Sequence, residues 1–290
     1  MDGKAHTTDL RSTPSRDSEP PPDYDDEGPS KHLSHDALHF VFPPVMSAYA
    51  QWGQFKTFNL CGANDSQPLC LVEVHTGFSG EKPLGSRPGI HLHNGMSKKD
   101  LVLAAAGDEL QIASRAYSFN LESTILLPQP GPLGAPRVEG LVTEMMQARI
   151  RDDKVSFIFS IEIGQGEKIR REHFEWRKFD KGDEDSKAGG FRLLWLSAGR
   201  SSDVGDHCDG NISPSAANEA ELVALLSWSK GLASLKHAFT LKLLGSGLSD
   251  TLGERWKLMV VVTALRLWYL KANGRTTKAV VAIGEKIHGQ

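Results

Sequence analysis

Cysteine is scarce: Cys61, Cys70 and Cys208 are the only three in 290 residues. So small and odd a number supports no disulfide framework, and without a C-x-x-C pair the common zinc-binding patterns are excluded as well. A reducing, cytoplasmic setting is the expectation. Long apolar runs are also missing. The nearest, Leu258 to Leu270, would rise only about 20 Å as a helix against a hydrocarbon layer of roughly 30 Å, so no transmembrane segment is expected. The start of the chain, Met-Asp-Gly-Lys-Ala-His, has no apolar stretch behind a basic opening, and no export signal is read there. Neither sign of charge dominates. Lys plus Arg is 33 and Asp plus Glu is 36, a balance that argues against a chain built to coat nucleic acid. Catalytic signatures are absent too: there is no G-x-S-x-G elbow and no P-loop, and Gly164-Gln165-Gly166 has Ile169 where a dinucleotide fingerprint needs glycine.

What is present falls into a tail and a body. Residues 1–36 hold Pro14, Pro20, Pro21, Pro22 and Pro29, with nine acidic side chains against four basic ones and almost no aliphatics. Such a segment cannot bury enough apolar surface to offset its ordering entropy, so a disordered acidic tail is expected. Pro20-Pro21-Pro22-Asp23-Tyr24 within it has the character of an extended protein-recognition motif. The body, 37–290, is left slightly basic. Pro128–Pro136 and Gly199–Asn218 read as long surface loops inserted in it, and 180–187 as a charged turn.

Alternation of apolar residues makes the body mainly strands. Val155, Phe157, Phe159, Ile161 and Ile163 form the clearest run, joined through Arg151-Asp152-Asp153-Lys154 to a strand over 142–150. Similar windows occur at Leu38, Phe40, Phe42; Cys70, Val72, Val74; Ile125, Leu127; Phe174, Trp176; Phe191, Leu193, Trp195; Phe239, Leu241, Leu243; and Val281, Ile283. With weaker windows, about a dozen strands fit between residues 38 and 284. One segment differs. Thr251-Leu252-Gly253-Glu254 has the spacing of a capping box, predicting a helix that ends at Asn273-Gly274. From Leu258 to Leu270 only Thr263 and Arg266 are not apolar. A helix apolar all round must be enclosed on all sides, and where its neighbours are strands the economical enclosure is a sheet closed into a barrel, which also removes the sheet edges. The predicted fold class is therefore all-β: a closed barrel of about twelve strands around a central hydrophobic C-terminal helix. Arg266, the charge inside that helix, is either buried beside a hidden carboxylate or emerges at the barrel's mouth; the second is expected, since arginine can snorkel.

Phe239 to Gly245 as a last long strand, Thr251 to Trp268 as a central helix and Lys278 to Ile283 as a closing strand give an order that resembles the tubby-like C-terminal domain superfamily, which includes phospholipid scramblases and LURP-one-related proteins. The resemblance covers 37–290 and lies in order and hydropathy. It implies a non-enzymatic binding or scaffold module without a cofactor, recognising phosphoinositide headgroups at an anionic membrane through lysine and arginine on the barrel wall.

The densest basic segment, Lys168 to Lys178, supplies candidates for that wall: Arg170, Arg171, Arg177 and Lys178. If Phe174 and Trp176 point inward, Arg171, His173, Glu175 and Arg177 form one outward row, and guanidinium forks suit phosphate. The plainer alternative is a solvated face paired with the acids of 180–187. His91-Leu92-His93 places two imidazoles on one strand face, as a metal-dependent barrel enzyme would, with His39, His75 or His173 able to complete a site through space. The plainer alternative there is ordinary outward histidines, and Asp206-His207-Cys208-Asp209 lies in a loop. No metal site is expected. A third reading is a protein-interaction module acting through residues 1–36.

Overall fold

The computed structural model describes residues 42–50, 56–109, 122–130, 136–151, 153–164, 169–180, 188–196, 220–230 and 236–288. The tail 1–36, the alternation at Leu38 and Phe40, and the segments 181–187 and 199–218 lie outside them.

Twelve strands follow in order: β1 (Val45–Ala50), β2 (Thr57–Cys61), β3 (Pro68–His75), β4 (Gly89–His93), β5 (Val102–Asp108), β6 (Glu122–Pro130), β7 (Pro136–Arg151), β8 (Lys154–Ile163), β9 (Arg170–Phe179), β10 (Gly190–Trp195), β11 (Glu221–Trp228) and β12 (His237–Leu243). Each pairs antiparallel with its neighbours in the chain, and β12 returns to β1, so the sheet is a closed meander. The β7–β8 turn is where the sequence puts it; Asp153 adopts φ +62° there, a left-handed conformation that aspartate tolerates better than most residues.

Helix α1 (Gly253–Ala272) is followed by α2 (Lys278–His288). Every side chain of α1 from Arg255 to Leu267 is buried. Thirteen successive residues cover all azimuths of a helix, so α1 has no wet flank along this stretch. It packs on β4 to β8 and on β12, and its side chains join inward-facing residues of all twelve strands in one core. That places α1 inside the barrel. Thr263 causes no polar vacancy: its hydroxyl bonds to Met259 O at 2.8 Å and receives the Trp176 Nε1 hydrogen at 3.0 Å.

Four expectations are corrected. The segment 278–283 is not a closing strand but part of α2. Val281 and Gly284 are its buried positions, a helical spacing that a short apolar window cannot separate from alternation. With β12 already bonded to β1, the place a closing strand would fill is taken. The capping box does not form: α1 starts without a side-chain cap, because Gly253 at φ +80° turns the chain between Thr251 and Glu254. Glu254 instead pairs with Lys257 at 2.9 Å. The predicted loop 128–136 is shorter, since Pro128 to Pro130 belong to β6 and Pro136 opens β7, with a register shift at Pro128/Gln129 that accommodates residues lacking an amide donor. Arg266 does not emerge. It is fully buried, its guanidinium bonded to Asp108 and, at 3.0 Å, to Ser123 Oγ, while Arg275 reaches the same Asp108 oxygen at 2.7 Å. The predicted helix end holds, with Asn273 as cap and Gly274 at φ +71°.

Candidate functional site

Phe174 and Trp176 on β9 are buried in the core, so alternation sends Arg171, His173, Glu175 and Arg177 to the outer surface, as the sequence predicts. The four basic candidates do not stay together. Arg170 donates to Glu172 Oε1 at 2.6 Å and lies over the Trp195 ring, and Lys178 donates to Thr276 O at 3.0 Å. Both carry the parity of inward residues and end at opposite rims of the barrel.

Arg171 closes a seam. Strands β7 and β8 pair only from Met146/Phe159 to the turn. Beyond that point Arg171 donates twice to the buried Glu144, at 2.9 and 3.1 Å, and to Ser160 Oγ at 2.9 Å. Arg255 of α1 donates to the same Glu144 at 2.7 Å and to Pro128 O at 2.6 Å. Among the described residues the carboxylates met by Arg170 and Arg171 are those of Glu172 and Glu144; 181–187 lies outside those residues. Glu144 carried no local signal in the sequence, because it sits in a strand that reads as plain alternation.

Arg177 belongs to a different set. In strand register Arg149 stands opposite Ser156, Ser156 opposite Arg177, and Arg177 opposite Arg192. Neighbouring strands lie about 4.8 Å apart, so this is one row across the outer wall of β7 to β10. Arg177 donates to Glu175 Oε2 at 2.7 Å, and Arg151 approaches the same oxygen at 3.6 Å. Arg149 spends its fork on the neutral Gln147 Oε1, at 2.8 and 3.1 Å. Arg192 lies on the Phe179 ring at 4.9 Å. Glu175 is wholly covered beneath them, with Oε1 unbonded. Two guanidiniums, those of Arg177 and Arg151, therefore meet one carboxylate. Arg149, Arg151 and Arg192 were missed by a reading confined to one basic segment, since only register brings them beside Arg177.

The histidines occupy another wall. Glu73 is opposite His91 and His75 opposite Gly89, so Glu73, His75, His91 and His93 share the outer face of β3 and β4. They point away from the barrel core as expected, yet are buried, because the segments 76–88 and 94–101 fold over them. His75 and His91 stack at 4.6 Å between ring centroids, and His91 meets His93 edge-on at 6.4 Å. His75 Nε2 bonds Gly85 O at 2.7 Å and His93 Nδ1 bonds Asp100 O at 3.0 Å. Stacked rings do not aim nitrogens at a common point, and among the described residues no three His, Cys, Asp or Glu side chains gather as a metal ion requires. His173 is on β9, far along the sheet, and His39 lies outside the described residues. Burial and the adjacent His75 lower the His91 value to about 4. For Glu73, burial works upward but Lys98 at 2.5 Å and His93 outweigh it, keeping the carboxyl below its usual range.

Thiol chemistry has no support here either: burial pushes Cys70 up to about 12 and, with Asp65, raises Cys61, so neither offers a thiolate near neutrality. Among the described residues no helix is long and apolar enough to cross a membrane. Compared with known proteins, the chain matches no family model, no curated protein and no solved structure.

Proposed function

We propose that this chain is a non-enzymatic binding module of the tubby-like kind, whose outer wall at β7 to β10 receives an anionic phosphoinositide headgroup at a cytoplasmic membrane surface. The closed twelve-strand barrel around a buried helix supports the kinship; the helical Lys278–His288 segment departs from the order on which it was first read. The observation that carries the binding reading is the arginine row, in which Arg149, Arg177 and Arg192 stand in register across β7 to β10 while Arg151 and Arg177 share the single carboxylate of Glu175. Paired donors in a fixed fork hold phosphate well, and a row of them one to two strand spacings apart matches several phosphates on one ring better than one.

The test is co-sedimentation of the full chain with phosphatidylcholine vesicles, with and without phosphatidylinositol bisphosphate, at low and high salt. Binding is expected only with the phosphoinositide, weakening as salt screens the charges, and falling several-fold in Arg149→Ala. No binding by the parent, or equal binding by Arg149→Ala, defeats the reading.

A further inference from the structure

The buried imidazoles on the β3–β4 wall do nothing for anion binding, and their arrangement stands independently of that proposal. Carbonyl oxygens only accept hydrogen bonds, so His75 must carry its proton on Nε2 to meet Gly85 O, and His93 must carry one on Nδ1 to meet Asp100 O. The first bond ties down the 76–88 segment and the second ties down 94–101. His91 lies between, stacked on His75, edge-on to His93, with Nε2 buried and unbonded.

We infer that the His75–His91–His93 stack is an acid-operated latch, which holds the 76–88 and 94–101 segments against the barrel near neutral pH and releases them on acidification. A proton on His91 would bring a charge into a site without a hydrogen-bond acceptor at Nε2, against two other imidazoles. The charged and titratable groups around it come from each packed element. From β3 they are Glu73 and His75, and from β4 His93. The 94–101 segment brings Lys98, which bonds Glu73, and Asp100, whose Oδ2 accepts from Ser97 N at 2.8 Å. The 76–88 segment brings Glu81, Lys82 and Arg87, the last bonded back to Leu84 O at 3.2 Å. From β5 the residue opposite His91 is Ala105, and the nearest carboxylate on that strand, Asp108, faces inward onto Arg266 and Arg275. Among the described residues Glu73 is therefore the one acid beside the rings, with its Oε1 held by Lys98 and its Oε2 facing His93 Nε2 at 3.4 Å rather than His91.

The direction follows from linkage. An opened, hydrated His91 titrates near its ordinary value of about 6.5, whereas the closed site holds it down to about 4. Between those limits the open form binds more protons, so acid favours opening, by up to about tenfold for each pH unit per extra proton.

Backbone hydrogen exchange on the full chain, corrected for the intrinsic effect of pH, reads this directly. Reporter amides are Gly85, bonded to Glu81 O; Asn94, bonded to Leu101 O; and Leu71, bonded to Gly95 O. From about pH 6.5 to about pH 5 their protection should fall about tenfold or more while β8 and β9 hold theirs. His91→Phe keeps a ring in the stack without a titrating nitrogen, and should erase the pH response. Unchanged protection in the parent, parallel loss throughout β8 and β9, or a parent-like pH response in His91→Phe would overturn the inference. Should His91→Phe fail to fold, imidazole nitrogen NMR of the parent decides: His91 neutral at about pH 5 upholds the latch, and protonation at about its ordinary 6.5 sinks it.

Discussion

Two faces of the same barrel wall differ in what lies over them. Outward residues of β3 to β5 include Glu73, His75, His91, His93, Gly89, Ala105 and Gly107, and the connecting segments lie flat on them. Outward residues of β7 to β10 include Arg149, Arg151, Arg177 and Arg192, and among the described residues no segment covers Arg149 or Arg151. The small residues are what permit the cover. A Cβ on Gly107 would meet Leu84 Cδ2 at 2.8 Å. Leu84, Ala105 and Leu126 then form a second, smaller core outside the barrel. One wall has become interior, while the other keeps charged side chains such as Arg149 and Arg151 in contact with water. Strand polarity alone, which sends both sets of side chains outward, does not distinguish them.

The comparison can be strained at several points, beginning with the largest effect. Leu84→Ala removes the centre of the outer core and should cost about 3 kcal/mol in denaturant unfolding; a loss below about 0.5 kcal/mol would mean the cover is ordinary surface. Acid should act on the covered wall next. Since His91 is held below its unfolded value, its contribution to stability is full above about pH 6.5 and shrinks as pH falls toward about 4, by at most about 1.4 kcal/mol per unit; His91→Phe should flatten that slope in pH-dependent melts. On the bare wall, Arg177→Ala leaves the buried Glu175 with Arg151 alone and should cost about 1–2 kcal/mol by the same unfolding measurement. Arg149→Ala should change stability by less than about 0.5 kcal/mol, and its effect should appear in vesicle binding instead. Were Arg149→Ala as destabilising as Leu84→Ala, the distinction between the two walls would fail.

Much of the architecture was legible because burial patterns repeat. The run from Val155 to Ile163 could only alternate, and the stretch from Leu258 to Leu270 could only be enclosed. The site was less legible. Arg177 was visible within one basic segment, but Arg149 and Arg192 reach it only through pairing across β8 and β10. Arg170 and Arg171 looked like companions of Arg177, yet alternation and the unpaired β7–β8 seam send them to Glu172 and Glu144. The capping box failed for a related reason: a four-residue spacing says nothing about the left-handed turn that Gly253 takes between its ends.

By itself, the order of residues determined that the body is built from strands, that one late helix is apolar on every side, and that the sheet must therefore close, because hydrophobic periodicity is a local property of the chain. Only the tertiary structure decided which outward faces remain in water, that Arg266 meets Asp108, and that the last apolar segment is a helix. Those outcomes depend on contacts between residues more than a hundred positions apart, as with Arg266 and Asp108 at a separation of 158, and no pattern along the chain encodes such a meeting.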